Sequence, residues 1–456
     1  ECIIPNFQYL VENQKRIKGI FITHGHDDVM GGLPFLMKQI KAPIYMAPLT
    51  ARMFERQAKK AGLSDLNIQR VRRGSNFKIG DTEIRTFGTT QSIADGFGLA
   101  IRTEDGYIVY SSEFIVDYDV KKEAFKFDIN AITELGARGI LALLTESVGS
   151  TRPGHSSPNH RITAQLEPVF EEAKGRIVVT TYSQNLYRVI EIIELASHFN
   201  RKIMIYDEEL RHLMKDMAEL GYYRMPAGLE IIPSSFTNEM ENVVVLIGGN
   251  GSTIFRKVHK IAAREDSVIQ LRKSDPVVVA SPAVPGTEKE EAQMEDDLYK
   301  ETSNVFALDA RRTFSMHASI EDLKMMIYLL NPQYYIPVKG EYRQLISNAN
   351  IALDMGYPAN NIIVLENGQA ATIENGQLAR QYDTILCDDV IRFRFAGCAG
   401  DGFERSGTVV DGRCNRSRCG HQSFHERDYR RTGCAESRCH LSERCRLYYS
   451  GSRKYY

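Results

Sequence analysis

The sequence predicts a mixed α/β fold: a sheet-on-sheet core with outer helices, interrupted by an inserted α/β domain built on a parallel sheet. Three observations carry this. Up to residue 115, apolar runs come in hairpin-like pairs among amphipathic segments. From about 160 to 305 they recur as regular strand–helix units, and from 306 to 380 the first style returns.

The elements follow in order. The apolar run 20–22 reads as a buried strand ending at Thr23, after which a turn crowds His24, His26 and Asp28 together. Gly31-Gly32 lets the backbone bend before 33–37 opens a helix. Residues 42–46 form a short strand and 50–57 a helix. Segments 76–79 and 82–87 make a hairpin turned at Gly80-Asp81; 97–101 and 107–110 make another, joined at Asp105-Gly106. Paired strands flanked by helices give the sheet-on-sheet core.

In the middle, 176–181 is a β-branched strand followed by an amphipathic helix through 187–193. A second strand, 243–247, ends in Gly248-Gly249-Asn250-Gly251-Ser252, which reads equally as a plain turn or a phosphate-binding one. A third covers 276–281, and strands separated by helices imply parallel pairing. After 306 the sequence predicts a turn at 315–319, a helix over 320–330, and a strand at 334–338 running into Lys339-Gly340-Glu341-Tyr342-Arg343. A final strand and turn are expected at 362–368.

Length and composition narrow the class. A chain of 456 residues holds two or three domains, and 43% apolar with 25% charged residues is ordinary for a soluble globular protein. The formal charge of −1 means that nucleic-acid binding must come from a local basic groove. No apolar run reaches the ~20 residues of a membrane helix. No signal peptide is legible, and because the chain does not begin with Met, residues upstream are expected to be missing. The absence of cysteine between Cys2 and Cys387 suits a reducing cytosol, so a cytoplasmic location is expected.

The chemistry concentrates in Thr23-His24-Gly25-His26-Asp27-Asp28-Val29-Met30-Gly31-Gly32. Imidazole and carboxylate at this density suit Zn²⁺ or Mn²⁺. The stretch resembles the His-x-His-x-Asp-His signature of the metallo-β-lactamase superfamily, with Val29 in place of the last histidine. The order of segments over roughly residues 1–387 resembles ribonuclease J, a β-CASP member of that superfamily. The resemblance implies an αββα sandwich with an inserted β-CASP domain, divided as 1–160 (first part, N-terminus missing), 161–305 (β-CASP) and 306–387 (return segment). It also implies an RNA substrate and a two-metal mechanism.

By that resemblance His24, His26, Asp28 and Glu113 are the remaining metal ligands, while Val29, Gln91 and Lys339 stand where ligands are lost. Glu146 matches the acidic residue opening the β-CASP segment. Thr313, Phe314, Ser315, Met316, His317 and Ser319 lie in the match to the substrate-phosphate loop, Met316 replacing a glycine. The helix after this loop is expected to offer free N–H groups to RNA. In an active enzyme of this type a hydroxide formed near neutral pH attacks the phosphodiester; Asp28 orients the water, and His317, with Glu146, belongs to the catalytic set.

Valine has no lone pair, glutamine offers a weak neutral oxygen, and an ammonium brings positive charge where a cation should sit. The expectation is one weak metal or none, with Lys339 standing in for the second ion by pairing with Asp28 and Glu113. The combination resembles the degenerate paralogue that accompanies an active ribonuclease J in some bacteria. It implies an RNA-binding subunit in RNA decay and processing, acting with the active paralogue or with itself as dimer or tetramer. A slow authentic exo- or endoribonuclease is the alternative; a small-molecule metallohydrolase is disfavoured by the inserted domain and the phosphate loop. Arg343 and Glu341 read as an ion pair or an RNA contact, and Met316, Met325 and Met326 as core.

From 388 to 456 the composition shifts: arginine nearly replaces lysine and cysteine appears. One reading is a zinc module on Cys414, Cys419, His421, Cys434, Cys439 and Cys445, although the x4 spacings differ from a common ribbon. A second is a basic RNA-binding arm. The preferred reading is out-of-frame translation, because the change falls mid-domain with no linker before it.

Overall fold

The computed structural model describes residues 2–309, 312–379 and 383–392. The three readings of the tail concern residues outside this range, except that Asp389–Arg392 pairs antiparallel with Cys2–Pro5.

Two sheets face each other. One is a parallel three-stranded sheet of Ile20–Ile22, Ile44–Met46 and Ile68–Arg70. The other has six strands in the order Tyr334–Val338, Ile140–Glu146, Gly106–Tyr110, Phe97–Thr103, Thr82–Gly88 and Asn76–Ile79. Both hairpins close where the sequence places them, with Ile79 opposite Thr82 and Thr103 opposite Gly106. Helix Pro48–Lys60 is longer than 50–57, since Pro48 suits its first turn. It buries Leu49, Met53 and Phe54 against Ile22, Ile44 and Met46. Helices Ile129–Gly136, Ile320–Leu330 and Tyr342–Asp354 place Leu135, Leu323, Met326 and Ile351 in the core with Ala100, Val109, Leu143 and Tyr335. Met316 and Met326 are buried, as core methionines should be.

The inserted domain carries a parallel sheet ordered Glu230–Ile231, Lys202–Ile205, Val243–Gly249, Ile177–Tyr182, Val277–Val279 and Val305–Ala307. Two expectations need correction. Gly248 and Gly249 belong to the strand, opposite Thr181 and Tyr182, and the turn is only Asn250-Gly251. A Cβ on Gly249 would sit 2.9 Å from Ile254 Cα, so glycine there permits the following helix to pack closely. The stretch 362–368 forms no strand; Ile362 makes a single bridge to Tyr335. Its apolar character goes into packing, with Ile363 buried beside Leu141, Ala142, Tyr334 and Ile336.

The insertion is fastened to the first sheet. One apolar cluster runs from Met53 and Phe54 through Leu186 and Val189 to Leu210 and Leu213. Arg52 pairs with Asp216 at 2.9 Å, and Arg56 also contacts Asp216. Asp95 Oδ2, buried, accepts hydrogen bonds from Tyr222 Oη at 2.7 Å and Leu49 N at 3.3 Å. Burial pushes the Asp95 carboxyl up to about 6, more than those hydrogen bonds and the charges of Arg73 and Arg72 lower it.

The sign of its pH effect follows. The folded chain holds the Asp95 proton more tightly than the unfolded one, whose value is near 3.8. This contribution is present below about pH 4 and is lost as pH rises through about 6. Urea titrations from pH 4 to 7 should therefore show Asp95→Asn gaining about 2–3 kcal/mol relative to wild type. A parallel pair of stability curves would show that the carboxyl is not desolvated at the junction.

Candidate active site

Strand Ile20–Ile22 delivers Thr23 and His24 to the sheet's end, and His26 caps the short helix Asp27–Met30, its carbonyl accepting Val29 N and Met30 N. Between the histidines Gly25 is required by close approach, because a Cβ there would meet Met53 Sδ at 2.7 Å. Glu113 follows strand Gly106–Tyr110, where Ile115 N bonds Thr90 O. Lys339 follows strand Tyr334–Val338 with φ of 50°, its carbonyl accepting Ser147 N at 2.9 Å.

These segments converge. His24 Nε2 and His26 Nδ1 lie 3.3 Å and 3.4 Å from Glu113 Oε2. Lys339 Nζ is 2.7 Å from Asp28 Oδ2 and contacts Glu113 Oε1. Glu113 is almost fully buried, Lys339 is partly buried, and Asp28 is more open. Burial first, then the charges of His26 and Lys339, hold the His24 imidazole well below 6.5. Burial likewise brings His26 to about 4, with Lys339 adding to it. Burial acts upward on Asp28, but the charge and hydrogen bond of Lys339 outweigh it and bring the carboxyl to about 2. Burial thus keeps both imidazoles neutral near pH 7, and Lys339 Nζ lies against the Asp28 and Glu113 carboxyl groups.

Hydroxyls not anticipated from the sequence hold the imidazoles from behind. Thr23 Oγ1 and Ser112 Oγ stand 3.1 Å and 3.3 Å from His24 Nδ1, and Ser92 Oγ is 3.0 Å from His26 Nε2. The only hint was that serine or threonine flanks each motif. Ser112 adopts φ of 62°, an uncommon conformation for a non-glycine residue.

The donor set is that of one divalent cation, for which Lys339 competes at both carboxyl groups. One ligand atom from each of His24, His26, Asp28 and Glu113 lies within 4.8 Å of the others. His24 Nε2 is buried and makes no hydrogen bond among the described residues. A second cation does not fit. Val29 has no donor atom, and Lys339 contacts the carboxylates that would share the ion. Gln91 is fully buried, its Nε2 3.4 Å from Thr89 Oγ1 and its Oε1 unpartnered among the described residues.

Next to this cluster, Glu146 ends strand Ile140–Glu146, fully buried. Its Oε1 accepts Phe114 N at 3.0 Å and Ala318 N at 3.1 Å, and its Oε2 lies 2.6 Å from His317 Nδ1. Of the loop residues, Phe314, Ser315 and His317 reach the surface, whereas Thr313, Met316 and Ser319 are buried. Thr313 Oγ1 accepts from Gln165, and Ser319 caps helix Ile320–Leu330. The expected free N–H groups are not there. Amides 317 to 321 donate to Ser315 O, Glu146 Oε1, Asp322 Oδ2, Arg152 O and Gly154 O. Segment 149–161 lies over the helix start and supplies two of those acceptors. Arg343 and Glu341 form an ion pair at 2.7 Å.

The two facing sheets, the His/Asp/Glu cluster at their edge and the inserted parallel sheet define a metallo-β-lactamase-type protein with a β-CASP insertion. Comparison with known proteins agrees. A family model described as "Metallo-beta-lactamase superfamily" matches residues 5–100, "Ribonuclease J, beta-CASP domain" matches 174–298, and "Zn-dependent metallo-hydrolase RNA specificity domain" matches 311–362. The chain is thus similar to ribonuclease J proteins, its middle segment matching their β-CASP domain. It is 28% identical over 393 residues to a protein named Ribonuclease J 2 from Staphylococcus epidermidis, spanning 86% of this chain and 69% of that one. It is also 28% identical over 371 residues to Ribonuclease J 2 from Staphylococcus aureus strain MRSA252, spanning 81% and 66%. A crystal structure of a protein of unknown function from Enterococcus faecalis V583 shares the fold, with a TM-score of 0.51 and 16% identity over 76% of this chain and 79% of that one. Among the described residues no helix is long and apolar enough to cross a membrane.

Replacing Lys339 by histidine tests the charge balance directly. Histidine tolerates positive φ, so the backbone is preserved. Without metal, Lys339→His should lose roughly 2 kcal/mol in thermal or urea unfolding, less than for a fully enclosed pair because Lys339 and Asp28 are partly exposed. Zn²⁺ or Mn²⁺ should restore the variant while shifting wild type little. Equal stability and equal metal uptake would refute the pairing.

Proposed function

We propose that this chain is an RNA-binding subunit of the ribonuclease J type, acting in RNA decay and processing beside an active paralogue, with weak or no hydrolysis of its own. The observation that carries this is Lys339 contacting Glu113 and lying 2.7 Å from Asp28. Lys339 occupies both carboxyl groups that a second divalent cation would use, and burial holds the two imidazoles neutral. A pocket filled this way offers little stabilisation to the charge of a phosphodiester transition state. RNA is then held by the surface of the phosphate loop and by the inserted domain.

A second reading is a slow hydrolase using one metal, favoured by the four donor atoms within 4.8 Å. His24, His26, Asp28 and Glu113 would hold the ion. Bound there, a divalent cation supplies Lewis acidity and an acidified water. The chain's own groups would do the rest: Glu146 orients His317 through Nδ1, leaving Nε2 for proton transfer or phosphate contact.

Decay of 5′-monophosphorylated RNA with Mn²⁺ separates the two readings. The subunit reading expects wild type and Asp28→Ala to share the same background rate, while wild type binds the RNA and raises the rate of an added active paralogue. Turnover that chelation and Asp28→Ala both abolish would replace it with the hydrolase.

A further inference from the structure

The inserted domain reaches the His/Asp/Glu cluster through one corner. Strand Ile177–Tyr182 ends there, and helix Leu186–His198 begins there, capped by Asn185, whose side chain accepts Arg188 N at 3.1 Å. Two hydrogen bonds cross from this corner to the segments that carry the cluster. Gln184 Nε2 donates to Asp27 Oδ1 at 3.0 Å, and Tyr187 N donates to Ser92 O at 2.9 Å. Gln184 is buried, so its amide is committed to that carboxylate and not to solvent. Tyr187 N is one of the first-turn amides that its own helix leaves unpaired.

Each bond stops one step short of a metal donor. Asp27 lies between His26 and Asp28 and opens helix Asp27–Met30, a single turn too short to hold its own place. Turning that helix would carry the Asp28 carboxylate away from Lys339 Nζ, which lies 2.7 Å from it. Among the described residues Asp27 forms no ion pair, so Gln184 is what orients its carboxylate. Ser92, whose carbonyl takes the Tyr187 amide, sets its hydroxyl 3.0 Å from His26 Nε2. The other polar fastenings of the insert, Arg52 and Arg56 to Asp216 and Tyr222 to Asp95, touch none of the four donors.

We infer that Gln184 is a positioning residue by which the inserted domain fixes Asp28 opposite Lys339, acting through Asp27 and the single-turn helix. The Tyr187 amide does the same for His26 through Ser92. The cluster is thus assembled with the insert in place, and loosening this corner loosens the site. This rests on the reading of Lys339 and Asp28 as a pair.

The test is a double-mutant cycle by urea unfolding of the full chain at pH 7 without added metal. Among the described residues Gln184 and Lys339 share no partner, so a merely structural Gln184 predicts additivity. Lys339→Met should lower the wild-type midpoint. In the Gln184→Leu background it should lower it by roughly half as much, because Asp28 is no longer held against the ammonium. Asp27→Ala removes the same bond from the exposed side and should give the same reduced shift. Asp27→Asn keeps the accepting oxygen and should leave the shift at full size. Should Gln184→Leu fail to fold, the two Asp27 variants decide by themselves. A full-sized Lys339 shift in every background overturns the inference while the Lys339 pairing stands. No shift on Lys339→Met in wild type overturns the pairing, and the inference with it.

Discussion

Glu113 is a carboxylate placed almost wholly out of water, and the site is arranged around the need to neutralise it. A lone buried carboxylate is costly, and the two imidazoles beside it stay neutral, so they cannot balance it. Lys339 does. Its ammonium reaches Glu113 and Asp28 from a left-handed turn at the end of strand Tyr334–Val338. That turn is held in turn by Ser147, whose N–H bonds Lys339 O and whose hydroxyl bonds Val338 O. Buried Asn348 donates to Thr145, Ser147 and the carbonyl of Glu146 at the end of the neighbouring strand and accepts from Tyr335 Oη of strand Tyr334–Val338. Lys339 thus sits against two of the four groups that could hold a metal ion, and the surrounding hydrogen bonds keep it there.

The same economy shapes the loop at 313–319. Segment 149–161 folds across the start of helix Ile320–Leu330 and consumes its amides. Gly149 permits this, since a Cβ there would press on the Ala318 carbonyl, and Ser156 Oγ bonds His317 O at 2.6 Å. The loop is consequently rigid, with Glu146 at its centre accepting bonds from both the Glu113 side and the His317 side. What it presents outward is side chains. The inserted domain is pinned just as firmly, through a shared apolar core and the Arg52, Arg56 and Asp95 contacts, so the two halves meet as one packed body.

Much of this was legible in one dimension wherever the physics is local. Strand 334–338 and helix 320–330 follow from periodicity, and both hairpins from turn residues that fix their own register. The segment 362–368 was misread because an apolar run looks the same whether its backbone joins a ladder or only its side chains pack, as Ile363 does. Gly248 and Gly249 were misread for a related reason: glycine permits a turn but equally permits a strand approached by a helix.

By itself the sequence determined the inventory of the site. Residue type alone says that Val29 has no lone pair to give and that Lys339 is a basic side chain. Which donors remain, and that Lys339 comes near Asp28 and Glu113, was implied only by the resemblance to ribonuclease J. Only the tertiary structure decided how open each group is and what it is already bonded to. It made the imidazoles neutral by burial, placed Thr23, Ser92 and Ser112 behind them, spent the loop's amides, and set Arg152 against the neutral acceptors of Ser315. Desolvation and hydrogen-bond satisfaction depend on residues far apart in the chain, as Arg152 and Ser315 are, so no reading of local pattern could supply them.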